Sequence, residues 1–437
     1  MARGPSLRAA FTALLICSCF ARLHWSCFNG GFSAFAGFFG ISRPYAHRFR
    51  DLREGDLVRN RRNSGIVVSA VAPGIDVAST ARLKADLLNV AAWNDFGHAA
   101  GVGVGSTTAT SAAGKIQTTP DLEAMHQQMQ HDGYSRLQRS NWDGQPDDPE
   151  KLQSFVRIID QLEAAGLPAQ FMLVFDEVWE VVNAVSRALE PIYGLRNVMD
   201  FYVFNVKPGK VGWNLHRDRP EGKLGFHDSG LPEYTTVWIA LTDASPATSC
   251  IYILPAHADP EYRSMAGSKL DREVISYSLQ HIRALPATSG SVLVWSHRSL
   301  HWGSAAPQNA PQARKTLTFA MAAPSYEEPF IRLEPGEIPP FEARLVLVAY
   351  TLICYHHSQP VPPNMQSALV EIIQRHSDHL TVAAIVQATG ESFFKNMLSF
   401  RTSGDAALEA QVESAGDLVL KRFGMNSDWW HAACAPR

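Results

Sequence analysis

Residues 201–218 read FYVFNVKPGKVGWNLHRD. The apolar, β-branched and aromatic run from Phe201 to Val206 stops at Lys207-Pro208-Gly209, and the chain resumes with Trp213 and Leu215 around His216-Arg217-Asp218. Proline removes a ladder donor and glycine accepts turn conformations, so this punctuation ends a strand. Similar runs follow at Thr235 to Leu241, Cys250 to Leu254, Ser291 to Trp295 and Lys315 to Met321, parted by Pro and Gly clusters. Short strands with no helix between each pair argue for an antiparallel sandwich or barrel, and a double-stranded β-helix, the jelly-roll or cupin-like core, leads.

On either side of this region the period changes to that of helices. Leu122 to Gln130 reads as a short helix, and Gln170 to Leu189 carries Phe171, Phe175, Val178, Val182 and Leu189 at helical spacing. Beyond Pro340, Phe341 to His357, Asn364 to His376, Leu380 to Ser399 and Ala406 to Phe423 read as helices, a C-terminal extension over 341–437 that packs on the barrel or forms an oligomer contact. The Gly-, Ser- and Thr-rich stretch from Ala99 to Thr119 places 51–119 as a poorly ordered or linker-like segment, with the β domain over 120–330.

Residues 1–50 contain no acid but six arginines, with an apolar run from Ala9 to Ala21 that falls short of the roughly 20 residues of a membrane span. This is a targeting leader. Its composition, with Ser33-Ala34-Phe35-Ala36, favours a plastid over a mitochondrion or the secretory pathway, and no stable membrane span is expected once it is removed. A net charge of −3 over 437 residues offers no general attraction to nucleic acid. Six cysteines, three of them in the leader, form neither a disulfide framework nor a zinc pattern.

Three His-x-Asp triplets occur: His216 to Asp218, His257 to Asp259 and His376 to Asp378. On a strand, residues i and i+2 share a face and chelate one ion; on a helix they diverge by about 200°. His376 lies in an expected helix, and His257, between Pro255 and Pro260, reads as a surface loop. His216 and Asp218 have the right surroundings. Two histidines and a carboxylate leave coordination positions open for a co-substrate and O2, the pattern of non-heme Fe(II) oxygenases. The strand Ser291 to Trp295 leads to His297 and His301, and spacing alone does not choose between them. Arg314 opens the last strand and could hold a carboxylate in a two-pronged grip.

These segments together resemble the phytanoyl-CoA dioxygenase-like family of Fe(II)/2-oxoglutarate-dependent oxygenases. Gln130 to Tyr134 resembles that family's opening motif, Trp213 to Asp218 its HxD strand, Cys250 to His257 its stretch ending in Pro, a small residue and His, and Leu300 to Ser304 with Arg314-Lys315 its distal-histidine and co-substrate segment. The resemblance covers roughly residues 125–325. It selects His301 over His297 and implies His216, Asp218 and His301 as iron ligands, Arg314 as holder of the 2-oxoglutarate carboxylate with Lys315 in reserve, and Ser304 and Trp238 nearby. It implies Fe(II) with 2-oxoglutarate and O2 as co-substrates, hydroxylation of a small-molecule or lipid-like substrate, and release of succinate and CO2; the intact Asp218 speaks against halogenation. Departures are Ser291 after Gly290, Thr248-Ser249-Cys250 where the family has an Asn-Gly pair, and Trp302 between His301 and Gly303.

Two other patterns fail on context. His216-Arg217-Asp218 also spells a kinase catalytic-loop triplet, but Asp95-Phe96-Gly97 precedes it instead of following, and a zinc pair at His297 and His301 lacks the expected Glu at Arg298. The rival from another class is a non-catalytic jelly roll that binds a metal or acts as a scaffold.

Overall fold

The computed structural model describes residues 75–105, 120–137, 149–219, 224–264, 271–326, 331–356, 361–376, 393–401, 405–422 and 427–434. The chain divides into Met1–Ser69 and Ala70–Arg437, and every described residue belongs to the second unit. The leader, residues 106–119 of the Gly- and Ser-rich stretch, and the Asp of the third His-x-Asp triplet lie outside the described residues.

Among the described residues, eight strands form two sheets: β1 (Tyr134–Leu137), β2 (Arg196–Val206), β3 (Tyr234–Ala240), β4 (Ile251–Ile253), β5 (Arg283–Leu285), β6 (Val292–Ser296), β7 (His301–Gly303) and β8 (Arg314–Ala322). The larger sheet has the order β1-β6-β3-β8-β2 and the smaller β5-β4-β7, with every pairing antiparallel. Alternation along the strands explains why they lie flat against two cores. In β3 and β6, Val237, Ile239, Val292 and Val294 enter a large core shared with the helices, while Trp238, Ala240, Leu293 and Trp295 meet Ile251, Ile253 and Leu285 of the smaller sheet. Each buried aliphatic side chain contributes about 1.5–3 kcal/mol. The sheets therefore face each other across a side-chain-filled interior, the jelly roll expected from the turn-punctuated runs.

The helices cover the outer face of the larger sheet. One long helix over 170–189 is expected; instead a 3-10 turn at Ala169–Val174 is followed by extended Phe175 (φ −88°, ψ 139°) and α-helix Asp176–Tyr193. The break follows local chemistry, because Asp176 and Glu177 suit a helix N-terminus and the Trp179 indole donates back to Leu173 O at 2.8 Å. Gly194, at φ +66°, ends the helix in the left-handed conformation.

The linker-like reading of 51–119 fails over 75–105. Helices Thr80–Leu87 and Val90–His98 form there, capped by the side chains of Ser79 and Asn89. Leu83, Leu87, Trp93 and Phe96 are buried in the large core, and Trp93 stacks on Phe171 at 5.4 Å. Their helical spacing is a packing signal that the neighbouring glycines obscure.

Phe341–Cys354 is buried all round, with Arg344 paired to Asp176 at 2.7 Å, and helices Pro363–His376 and Ala406–Arg422 join the same core. The extension thus shares its core with the barrel's helical layer. No helix among the described residues is long and apolar enough to cross a membrane.

Candidate metal centre

His216 and His301 form a mutual backbone pair, each N–H donating to the other's carbonyl at 3.0 Å. The His-x-Asp segment is thereby laid beside β7, and directly paired strand residues project to the same side. The two rings lie 4.3 Å apart. Asp218, two residues along, joins them: its Oδ1 is 3.1 Å from His216 Nε2 and 3.7 Å from His301 Nε2.

The surroundings fix each donor. His216 Nδ1 lies 2.6 Å from Asn214 O and His301 Nδ1 3.0 Å from Ser299 O. A neutral ring that donates from Nδ1 keeps its Nε2 lone pair for a metal, so these carbonyls select the ligating tautomer. Asp218 Oδ2 accepts from Thr236 Oγ1 at 2.5 Å and Trp295 Nε1 at 2.9 Å, which leaves Oδ1 for the ring nitrogens' side. The three ligand atoms lie within 4.8 Å of one another. Burial pushes the His301 imidazole down to about 4. Burial alone would raise Asp218, but His301 and His216 beside it, with the Thr236 hydrogen bond, hold it well below the usual carboxylate range. Neutral imidazole and ionised carboxylate are the forms that bind a divalent cation.

Further in, Arg314 is almost wholly buried, its guanidinium near the rings of Phe204 (5.7 Å) and Trp238 (5.9 Å). Its Nε and Nη1 find no hydrogen-bond partner, and no carboxylate among the described residues pairs with it. Burial lowers it to about 10, and the one opposing group, the Cys250 thiol, is itself pushed up to about 11 by burial and stays neutral. Trp238 Nε1 and the hydroxyls of Thr316 and Thr318 are also buried without a partner. An unpaired buried guanidinium costs several kcal/mol. What this cluster lacks is an anion with several acceptor oxygens, so the residues fit a dicarboxylate that runs from Arg314 toward the triad.

The remaining candidates separate clearly. Lys315, one residue on, points to the helical side and pairs with Asp160 at 2.7 Å. Ser304 Oγ accepts from Cys250 N at 3.0 Å, and its carbonyl accepts from Ser249, so it ties the 303–306 segment to β4. His297 points both ring nitrogens at backbone carbonyls, Tyr234 O and Leu224 O, and is no partner of the triad. The surface-loop reading of 257–259 holds only for its histidine. Asp259 is fully buried against Arg217, and His257 lies over His131, both rings directed at Asp132 Oδ1 while Arg283 takes Oδ2. Sequence reasoning also missed Thr236 and Trp295, which no motif marks, and Tyr355, which the extension sets edge-on to Trp213 at 5.2 Å.

No curated protein matches the chain. Among solved structures, the non-heme alpha ketoglutarate dependent epimerase SnoN from nogalamycin biosynthesis is 15% identical, with 46% of this chain and 83% of that one covered and a TM-score of 0.35. AviO1 from Streptomyces viridochromogenes Tue57 is 17% identical (48% and 98% covered, TM-score 0.35), and HygX from Streptomyces hygroscopicus, with nickel and 2-oxoglutarate bound, 14% (48% and 88%, TM-score 0.36). The model of the phytanoyl-CoA dioxygenase (PhyH) family matches residues 117–315, a span that includes His216, Asp218, His301 and Arg314. This chain carries a phytanoyl-CoA dioxygenase (PhyH) family domain over residues 117–315.

Proposed function

We propose that the protein is an Fe(II)- and 2-oxoglutarate-dependent oxygenase, with His216, Asp218 and His301 holding the metal and Arg314 the far carboxylate of 2-oxoglutarate. The observation that carries this reading is the juxtaposition of a two-histidine, one-carboxylate triad with a buried guanidinium that lacks an anion. A scaffold that only binds metal has no use for such an arginine, since an unpaired buried charge destabilises the fold.

When bound, the metal and 2-oxoglutarate supply the activation of O2, with oxidative decarboxylation to succinate and CO2. The chain's own residues orient and enclose. Asn214 O and Ser299 O hold the imidazoles, and Thr236 and Trp295 hold Asp218 at one oxygen. Phe204 and Trp238 flank Arg314 and exclude water from its ion pair. Asp218 occupies the third protein position, which favours hydroxylation over transfer of a halide. The substrate is a small molecule. The acid-free leader supports import into an organelle, a plastid by preference, and sequencing the mature N-terminus tests it: a start at Met1 contradicts removal of the leader.

The activity is tested by following succinate from 2-oxoglutarate with Fe(II), ascorbate and O2 across a varied substrate panel. Fe(II)-dependent succinate formation is expected; its absence across the panel contradicts the proposal.

A further inference from the structure

Strand register gives the barrel interior two chemically different ends. Going inward from Tyr202 and Trp238, both paired with Thr318, the same face reaches Phe204 and then Val206, which pairs with Arg314. Going outward from Trp238, it reaches Thr236, the residue that holds Asp218, and then Tyr234. The triad lies between a basic inner end and an outer end at Tyr234.

At that outer end a β-bulge interrupts β2 between Val198 and Phe201. Val198, Met199 and Phe201 all enter the helical core, so two extra residues are taken up there, and Asp200, in step with Tyr202 and Phe204, keeps to the other side. Asp200 Oδ2 accepts from Tyr234 Oη at 2.8 Å and Arg219 Nη2 at 3.5 Å, while no hydrogen bond from the described residues reaches Oδ1. The carboxylate is 36% exposed and close enough to Asp218 for the two to repel. Near it stands an aromatic wall. Tyr355, which feels the charge of Asp200, packs edge-on to Tyr202 and Trp213 at 5.2 Å each, and Trp213 lies 6.3 Å from the His216 ring.

Such a mouth suits some substrates and rejects others. A fatty acyl chain offers no donor to Oδ1. An anionic head meets two carboxylates, with Arg219 already engaged by Asp200 and lying over the Tyr234 ring. A donor group attached to a flat ring satisfies both walls at once.

We infer that Asp200 anchors the substrate, accepting a hydrogen bond from a primary ammonium or hydroxyl group on a ring-bearing small molecule whose ring packs on Tyr355 and Trp213. The C-terminal extension therefore completes the site through Tyr355. The inference rests on the oxygenase reading only for the fate of the molecule bound.

The test uses the full chain and three matched probes, 2-phenylethylamine, 2-phenylethanol and phenylacetate, with binding followed by ligand-observed NMR. The amine or the alcohol is expected to bind at least about ten-fold more tightly than the carboxylate, the worth of one charge-assisted hydrogen bond. Asp200→Asn removes most of the amine's advantage over phenylacetate, Asp200→Glu restores part of it, and Tyr355→Leu weakens all three probes without changing their order. The thermal transition of each variant is recorded alongside; should one not fold, the wild-type series decides alone. Equal binding of the three probes, preference for the carboxylate, no binding at all, or an order unmoved by a folded Asp200→Asn overturns the inference. Separately measured failure to bind 2-oxoglutarate would count against the oxygenase reading and leave this preference intact.

Discussion

Arg217 Nη1 lies 2.7 Å from Asp259 Oδ2 and Nη2 3.2 Å from Oδ1, with both side chains wholly out of solvent. The middle residue of one His-x-Asp triplet is thus clamped by the acid of another. Because side chains alternate along an extended chain, a fixed Arg217 also fixes the opposite direction of His216 and Asp218. Arg217→Met or Asp259→Asn should cost about 3–5 kcal/mol, since each leaves a buried charge or its partner unmatched. The double variant Arg217→Met/Asp259→Leu should recover part of that loss. Chemical denaturation of the three variants checks this, and strictly additive losses would contradict a coupled pair.

At Gly212 the segment leading to the His-x-Asp triplet runs hard against the end of β7. A Cβ there would lie 2.5 Å from Gly303 O, 2.7 Å from Gly303 C and 2.9 Å from Ser304 O, all backbone atoms that cannot rotate away. Gly212→Ala should push the segment off β7, cost about 1–3 kcal/mol and loosen the His216–His301 pair. A lower melting temperature with at least ten-fold weaker divalent-metal binding is expected. An unchanged melting temperature and affinity would contradict the close approach.

Arg314→Met should raise the apparent KM for 2-oxoglutarate about 100-fold, the value of roughly 3 kcal/mol for a two-pronged charged grip, with metal affinity retained. Lys315→Met should change it little, because that ammonium is spent on Asp160 outside the barrel. Steady-state kinetics in 2-oxoglutarate separates them; a larger effect from Lys315 would reverse the assignment.

His297 sets an acid limit on stability. Burial pushes its imidazole down to about 4, against an ordinary value near 6.5. The folded state therefore binds fewer protons than the unfolded state between these values. The neutral ring's contribution is fully present above about 6.5 and lost as pH falls toward 4, on the order of 3 kcal/mol. Melting temperatures from pH 8 to 4 should fall more steeply for the wild type than for His297→Gln; parallel curves would remove His297 as the cause.

The strands were legible because both faces of the larger sheet are covered, so the runs at 235–241, 291–295 and 315–321 are buried almost throughout, rich in apolar and β-branched residues, and end at turns. The side-by-side arrangement of His216 and Asp218 also follows from an extended i, i+2 spacing. Spacing left His297 and His301 open and only the family resemblance chose between them, because it is the strand partner of His216 that decides which ring arrives beside it. Asp259 and Tyr355 were illegible for a related reason. Both belong to segments distant in sequence, and their roles depend on what tertiary packing brings against them. Asp200 is in step with Tyr202 and Phe204, but its partners Tyr234 and Arg219 come from other segments.

The most direct measurement is anaerobic calorimetric titration of 2-oxoglutarate into the full chain, with and without one equivalent of Fe(II). The account predicts one 2-oxoglutarate bound per chain only when the metal is present, abolished in His301→Ala and weakened about 100-fold in Arg314→Met. Binding that ignores the metal, or no binding in its presence, would contradict it.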